Sequence, residues 1–345
     1  MEYKNRMKRI RIIVFLVPGV LLCISLLLFP HKIVISKSTE HPDKSTFFDK
    51  APGTSSAGNY AVNFIPGLVE KDQVAKAGLL YDAEKNEVVW TKQADSSFAV
   101  ASLTKMMTAL LVTEDVMSKK ISWDTPVTVT KEASRISSSK VYLSPGEVFT
   151  VYDLLKSSLI ASANDACFLL TQHLGGTEKD FVLRMNQRAF ELGMKNTGFC
   201  NSTGLPARFG ERDNYSSPHD LLLLTKEILK YPVILEISRK DGEYIREGAA
   251  KFDLKNHNKL ALKYSEVDGL KTGFTFKASF CIVATALRAG HRLVAIVLGS
   301  PTQAARNNFV ANMLSNYYGN VLCLGRLGQP VTGDTSSVKI NKSSN

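Results

Sequence analysis

The sequence predicts an α+β fold, an antiparallel sheet flanked by helices with a mainly helical lobe beside it. Two observations carry this. Paired strand-like runs separated by turn residues stand near both ends of the main part of the chain, while the long middle shows the spacing of amphipathic helices. One sheet must therefore be assembled from segments far apart in sequence.

In chain order, Gly78-Leu79-Leu80-Tyr81 and Glu87-Val88-Val89-Trp90 flank a polar turn from Asp82 to Asn86 and predict a hairpin. From Ser102 to about Met117, apolar Met106, Leu110 and Leu111 fall on one helical face. Val151 to Leu174 is largely helical in pattern, with an interruption at Ala161-Ser162-Ala163-Asn164. Ser279 to Leu287 and Arg292 to Leu298 are rich in β-formers, and Arg288-Ala289-Gly290-His291 between them predicts a second hairpin. Pro301 to Tyr318 reads as a closing amphipathic helix. No internal repeat is visible.

The chain has 345 residues, 44% hydrophobic and 22% charged, enough for a genuine core. Its formal charge is +11. Five basic residues and one acid crowd residues 1–11, predicting a basic cytoplasmic tip. Residues 12–30 then run nineteen positions without a charge, long enough to cross a hydrocarbon core. A cleaved signal segment is the alternative, but no Ala-x-Ala follows Leu26-Leu27-Leu28-Phe29-Pro30, which favours an uncleaved anchor. Either way the main body is exported. Residues 31–66 are polar and read as a linker, 67–323 as the catalytic domain, and 324–345 as a flexible tail. No Lys/Arg stripe with interleaved aromatics is present, which argues against nucleic acid. The five cysteines are widely spaced and the six histidines show no ligand spacing, so neither a metal nor another cofactor is expected.

Three motifs carry chemistry. Ser102-Leu103-Thr104-Lys105 sets a hydroxyl and an amine three residues apart at a helix start, so that both share one face and the amine can take the hydroxyl proton. The same pattern recurs at Ser137 to Lys140 and at Ser336 to Lys339. Only Ser102 is followed by an apolar helix. Ser162-Ala163-Asn164 offers a hydroxyl that can relay a proton and an amide that can hold Lys105 or a substrate carbonyl; its plainer reading is a capped helix break. Lys271-Thr272-Gly273 occurs once and leads into an apolar strand, where a ligand can pair as an added strand. Its plainer reading is a turn before that strand. Ser102 and Ser162 are 60 residues apart, and Ser162 and Lys271 109, each at an element boundary. Such a set in this order is the one described for β-lactamases and penicillin-binding proteins.

On these motifs the chain resembles the D-alanyl-D-alanine carboxypeptidases, the low-molecular-mass penicillin-binding proteins, over roughly Ala75 to Gly319. Ser162 to Ala166 matches the family's S-x-N-D-A, and Val267 to Gly273 its V-D-G-[LI]-K-T-G; Asn201 to Leu205, Tyr215 to Asp220 and Asn256 to Asn258 resemble its linking segments. The resemblance implies a β-lactamase/transpeptidase-like fold and a serine D,D-carboxypeptidase of the bacterial cell envelope, on the extracytoplasmic face of the cytoplasmic membrane. It implies that Ser102 attacks the bond between two D-alanines of a peptidoglycan pentapeptide, with Lys105 as base and Ser162 passing a proton to the leaving group. Asn164, Lys271, Thr272, Gly273 and Phe274 would bind substrate, the backbone N–H groups of Ser102 and Phe274 would form the oxyanion hole, and Arg306 would hold the terminal carboxylate. Stripping Lys105 of its proton near neutral pH takes roughly 4 kcal/mol, expected from burial and the nearby charge of Lys271. β-Lactams would be inhibitors.

Phe274 stands where the family commonly has His, and Ala278-Ser279 replaces Ala-Gly. A D,D-endopeptidase would use the same residues. A class A β-lactamase would carry Asp in place of Ala163 and a deacylating Glu, which the stretch Gly198 to Pro206 lacks. A catalytically silent envelope-binding protein would not need Ser102, Lys105 and Lys271 intact.

Overall fold

The structure is a computed structural model that describes residues 74–319, apart from 208, 209 and 211. The basic tip, the anchor, the linker, the tail and the Ser336 motif lie outside the described residues. Among the described residues no helix is long and apolar enough to cross a membrane.

The chain opens with β1 (Ala77–Asp82) and β2 (Glu87–Lys92), followed by β3 (Phe98–Ala99) and a 3₁₀ turn (Ala101–Thr104) that runs into α1 (Lys105–Met117). Next come β4 (Pro126–Thr128), α2 (Lys131–Ser134), β5 (Val148–Thr150), α3 (Val151–Ile160), α4 (Asn164–Gly175) and α5 (Glu178–Glu191). After β6 (Tyr215–Ser216) stand α6 (Pro218–Ile228), α7 (Pro232–Ser238), β7 (Gly242–Ile245), β8 (Phe252–Lys255) and α8 (Lys259–Lys263). Three long elements in the sheet, β9 (Val267–Thr275), β10 (Ser279–Arg288) and β11 (His291–Ser300), precede α9 (Gln303–Tyr318).

The main sheet has the order β2-β1-β11-β10-β9 and is antiparallel throughout. Both predicted hairpins form, and β1 joins them by pairing with β11 from Ala77↔Leu298 to Asp82↔Leu293. Three two-stranded pairs, β3-β6, β4-β5 and β7-β8, lie apart from it.

The apolar runs of the central strands are nearly continuous because both sheet faces are covered. Alternate residues feed opposite cores, as the two-residue period of a strand requires. Val294, Ile296 and Leu298 of β11 join the cluster with α1, α3, α4 and α6, whereas Leu293, Ala295 and Val297 face α9. On the α9 side Trp90 meets Phe309 edge-on at 5.5 Å between ring centroids. Each such fully buried large side chain contributes about 1.5–3 kcal/mol.

Helix starts are set by side chains. Thr150, Thr177, Ser217 and Thr302 accept from the N–H groups of Asp153, Asp180, Asp220 and Ala305, and Pro218 takes the first turn of α6. The end of the fold is tied back to its beginning by buried Asp82, which accepts hydrogen bonds from Tyr317 at 2.6 Å and from the Glu84 and Lys85 N–H groups, and lies 2.9 Å from His291 Nε2.

Two details differ from the sequence reading. Ser102 sits in the 3₁₀ turn just before α1, because the chain leaving β3 must bend sharply, and Ala101 takes a positive φ of 48° to do so. Lys271-Thr272-Gly273, expected to lead into an apolar strand, lies inside one, since β9 already starts at Val267.

Candidate active site

The site forms where α1, the α3–α4 break, the Asn201–Gly204 segment and β9 converge. Val100 fixes the entry, its N–H donating to Asn214 O at 3.2 Å. Thr104 Oγ1 donates to Ala101 O at 2.7 Å and accepts from Asn214 Nδ2 at 2.9 Å, which locks the turn that presents Ser102. The turn tolerates no bulk beside it. A Cβ on Gly204 would stand 2.0 Å from Ala101 O, and that glycine also holds φ at +81°.

Lys105 is fully buried, and its Nζ has three acceptors: Ser102 Oγ at 3.1 Å, Asn164 Oδ1 at 2.7 Å and Thr203 O at 2.6 Å. An ammonium has three protons to give. Once one is lost, the two short bonds to Asn164 and Thr203 keep the remaining N–H groups, and the lone pair is left facing Ser102 Oγ. Burial pushes the amine down to about 8, against an upward pull from Cys167 and Asp165. Lys271, also buried, is held well below the ordinary lysine range by burial first and by its repulsion with Lys105 second.

The helix break carries the next two groups. Ser162, buried and with φ at 56°, accepts from Lys271 Nζ at 2.9 Å. Asn164 is oriented by a loop: its N–H donates to Ser139 O at 2.7 Å and its Nδ2 to Ser137 O at 3.0 Å, so its Oδ1 must turn to Lys105. The neighbouring Asp165, fully buried, holds that loop by accepting from the N–H groups of Val141 and Leu143 at 3.1 to 3.2 Å. The Ser137 to Lys140 repeat is thus a wall built of backbone carbonyls, not a helix bearing a nucleophile.

β9 closes the cleft as the edge strand of the sheet. Lys271 Nζ also donates to Thr272 O at 3.1 Å. A Cβ on Gly273 would lie 2.8 Å from Val100 O and 3.1 Å from Ser102 N, so the missing side chain is what lets the strand meet the Ser102 turn. Phe274 is 48% exposed. Arg306 is buried on α9; its Nη1 donates to Cys281 O at 3.1 Å, and its Nε and Nη2 donate to Asn307 Oδ1 at 3.0 and 2.7 Å. Cys281 lies opposite Gly273, so the guanidinium reaches the strand beside the motif, and its charge is among those that depress Lys271. Burial lowers Arg306 itself to about 10.

All the predicted residues converge: Ser102, Lys105, Ser162, Asn164 and Lys271 through hydrogen bonds, Thr272, Gly273 and Phe274 along one strand, and Arg306 behind it through Cys281. Sequence reasoning missed the Thr203 carbonyl, the Gly204 contact and the Asp165 brace. The stretch Asn201 to Leu205 is a family-like segment, but nothing in it marks a backbone oxygen as a partner of Lys105.

Residues 67–302 match the family described as D-alanyl-D-alanine carboxypeptidase. The chain is 39% identical over 241 residues to the D-alanyl-D-alanine carboxypeptidase DacF of Bacillus subtilis, covering 70% of this chain and 61% of the relative. It is 33% identical over 248 residues to DacC of Escherichia coli, covering 70% and 60% respectively. It thus spans about three fifths of the length of these curated relatives. A penicillin-binding protein of Listeria monocytogenes, solved in its cefotaxime-bound form, superposes with a TM-score of 0.64 at 33% identity, covering 71% of this chain and 97% of that one.

Proposed function

The chain belongs to the D-alanyl-D-alanine carboxypeptidase family, and from that premise we propose that it is a serine D,D-carboxypeptidase that trims the terminal D-alanine from peptidoglycan stem peptides. The observation that carries the reading is the Lys105 amine, 3.1 Å from Ser102 Oγ with its other two positions held by Asn164 and Thr203. Ser102 attacks the carbonyl between the two D-alanines while Lys105 takes its proton. The backbone N–H groups of Ser102 and Phe274 receive the oxyanion. Ser162, aligned by Lys271, passes a proton to the amine of the departing D-alanine. Thr272 and Lys271 meet the terminal carboxylate, and Arg306 adds positive charge behind them. Water then attacks the acyl-enzyme, again with Lys105 as base, and frees the shortened peptide. A β-lactam enters by the same step and stalls there as the adduct. The uncharged run 12–30 anchors the enzyme on the extracytoplasmic face of the cytoplasmic membrane, with residues 31–66 as its tether.

The test is labelling by a fluorescent penicillin together with release of D-alanine from a pentapeptide. Wild type is expected to take the label and release D-alanine, and Ser102→Ala to do neither. Label retained in Ser102→Ala would move the nucleophile elsewhere. A cross-linked peptide dimer, given in parallel, separates endopeptidase from carboxypeptidase action. Cell fractionation with and without residues 1–30 tests the anchor.

A further inference from the structure

Thr203 holds Lys105 through its backbone carbonyl, so whatever fixes the chain at Thr203 also fixes the amine. The preceding residue, Ser202, is fully buried, and three helices converge on it. From α1, Thr108 Oγ1 donates to Ser202 O at 3.0 Å. Thr108 follows Lys105 at the i+3 position and shares its face of the helix, so the two side chains bond consecutive carbonyls, those of Ser202 and Thr203. From α4, Cys167 Sγ donates to Ser202 O at 3.3 Å, and Thr171 Oγ1 lies 3.1 Å from Ser202 Oγ. From the first turn of α5, Glu178 Oε1 accepts from the Ser202 N–H at 3.0 Å and from Ser202 Oγ at 2.7 Å. Asn201 Oδ1 steadies the far side of the segment by accepting from the Gly204 N–H at 2.7 Å.

Among these partners of Ser202, Glu178 makes two bonds with a single oxygen, and bonds to a carboxylate are the stronger kind. An acid in the first turn of a helix is ordinary, because it complements the partial positive charge there. In α5 that task is already met by Asp180. Thr177 Oγ1 accepts from the Asp180 N–H at 3.1 Å and donates to Asp180 Oδ2 at 2.7 Å, which completes the cap. Glu178 is bonded instead to Ser202. Without its carboxylate, the buried Ser202 would keep an N–H and a hydroxyl with no acceptor, and the segment would shift to find one. The neutral Lys105 amine would then retain Asn164 as its one fixed acceptor and turn about that bond. Its lone pair would face Ser102 Oγ for only part of the time.

We propose that Glu178 is a positioning residue for the acylation step, aiming the Thr203 carbonyl, and through it the Lys105 amine, by way of Ser202. The inference rests on the reading of Lys105 as the base and adds a group that makes no contact with substrate. Acylation by benzylpenicillin, followed by intact mass over a range of concentrations, separates the limiting rate of adduct formation from the dissociation constant of the complex that precedes it. Glu178→Ala is expected to lower the limiting rate at least about tenfold and to leave the dissociation constant within about twofold. Glu178→Gln keeps an acceptor at the same reach and is expected to restore the limiting rate to within about threefold of wild type. Ser202→Ala removes the shorter of the two bonds without touching the start of α5, and is expected to lower the limiting rate about threefold or more. A wild-type limiting rate in both Glu178→Ala and Ser202→Ala would overturn the inference. A loss in Glu178→Gln as deep as in Glu178→Ala would overturn it too, because charge rather than reach would then be at work. Both results would leave the acyl-enzyme intact. Absence of any adduct in wild type would overturn the acyl-enzyme reading, and this role of Glu178 with it.

Discussion

In the proposed role of base, Lys105 sets the pH at which Ser102 reacts. Burial brings the amine down to about 8, so below that value it is mostly the charged form, which cannot accept the serine proton. The acylation rate is expected to climb about tenfold per pH unit up to near pH 7 and to level off above about 8.5. Stopped-flow measurement of β-lactam acylation from pH 5.5 to 9.5 checks this, and a flat profile would remove Lys105 from the role of base. The side chains of this site were legible in the sequence because a hydroxyl, an amine and an amide carry their chemistry with them. Thr203 acts through its carbonyl, which every residue possesses, and Gly204 through the absence of a side chain 2.0 Å from Ala101 O. Such roles depend on where the chain is placed and leave no mark on residue type.

At the scale of elements, the break between α3 and α4 is the working joint. Asp165 lies in the first turn of α4, and its carboxylate holds the Val141 and Leu143 N–H groups of a loop whose Ser137 and Ser139 carbonyls orient Asn164. Asp165→Ala would strand those buried donors and is expected to cost about 2–4 kcal/mol in urea unfolding. It should also slow acylation at least about tenfold, since a freed Asn164 no longer aims Lys105. Full acylation by a destabilised variant would show that the loop does not set the amide. The hairpins β1–β2 and β10–β11 could be read from strand-like runs around polar turns, and the α3–α4 break from its small polar residues. The pairs β3-β6, β4-β5 and β7-β8 could not, because strands of two to four residues are too short to display a period. Lys271-Thr272-Gly273 was expected to lead into a strand rather than to lie within one, for a related reason. Gly269 and Gly273 look like turn residues, yet one is packed against Leu235 and Thr285 and the other against the nucleophile turn, so close approach rather than bending explains them.

For the molecule as a whole, the sheet divides stability from chemistry. Its helical-lobe face carries the Ser102 turn, and its other face packs on α9. Leu314, fully buried in the second core, should cost about 2–5 kcal/mol when replaced by alanine, while the acylation rate of the folded protein stays at the wild-type value. Denaturant unfolding and penicillin labelling of the same sample test both halves, and a parallel loss of acylation would show that the two faces are coupled. The pairing of Ala77 with Leu298 also has a consequence in time. A chain made from its amino end produces β1 and β2 early, and a lone hairpin is marginal in water. Its partner β11 is among the last strands to appear, and closing so long a loop is slow. The first strands must therefore wait, exposed, until almost the whole domain exists, and the cleft at Ser102 is assembled only at the finish.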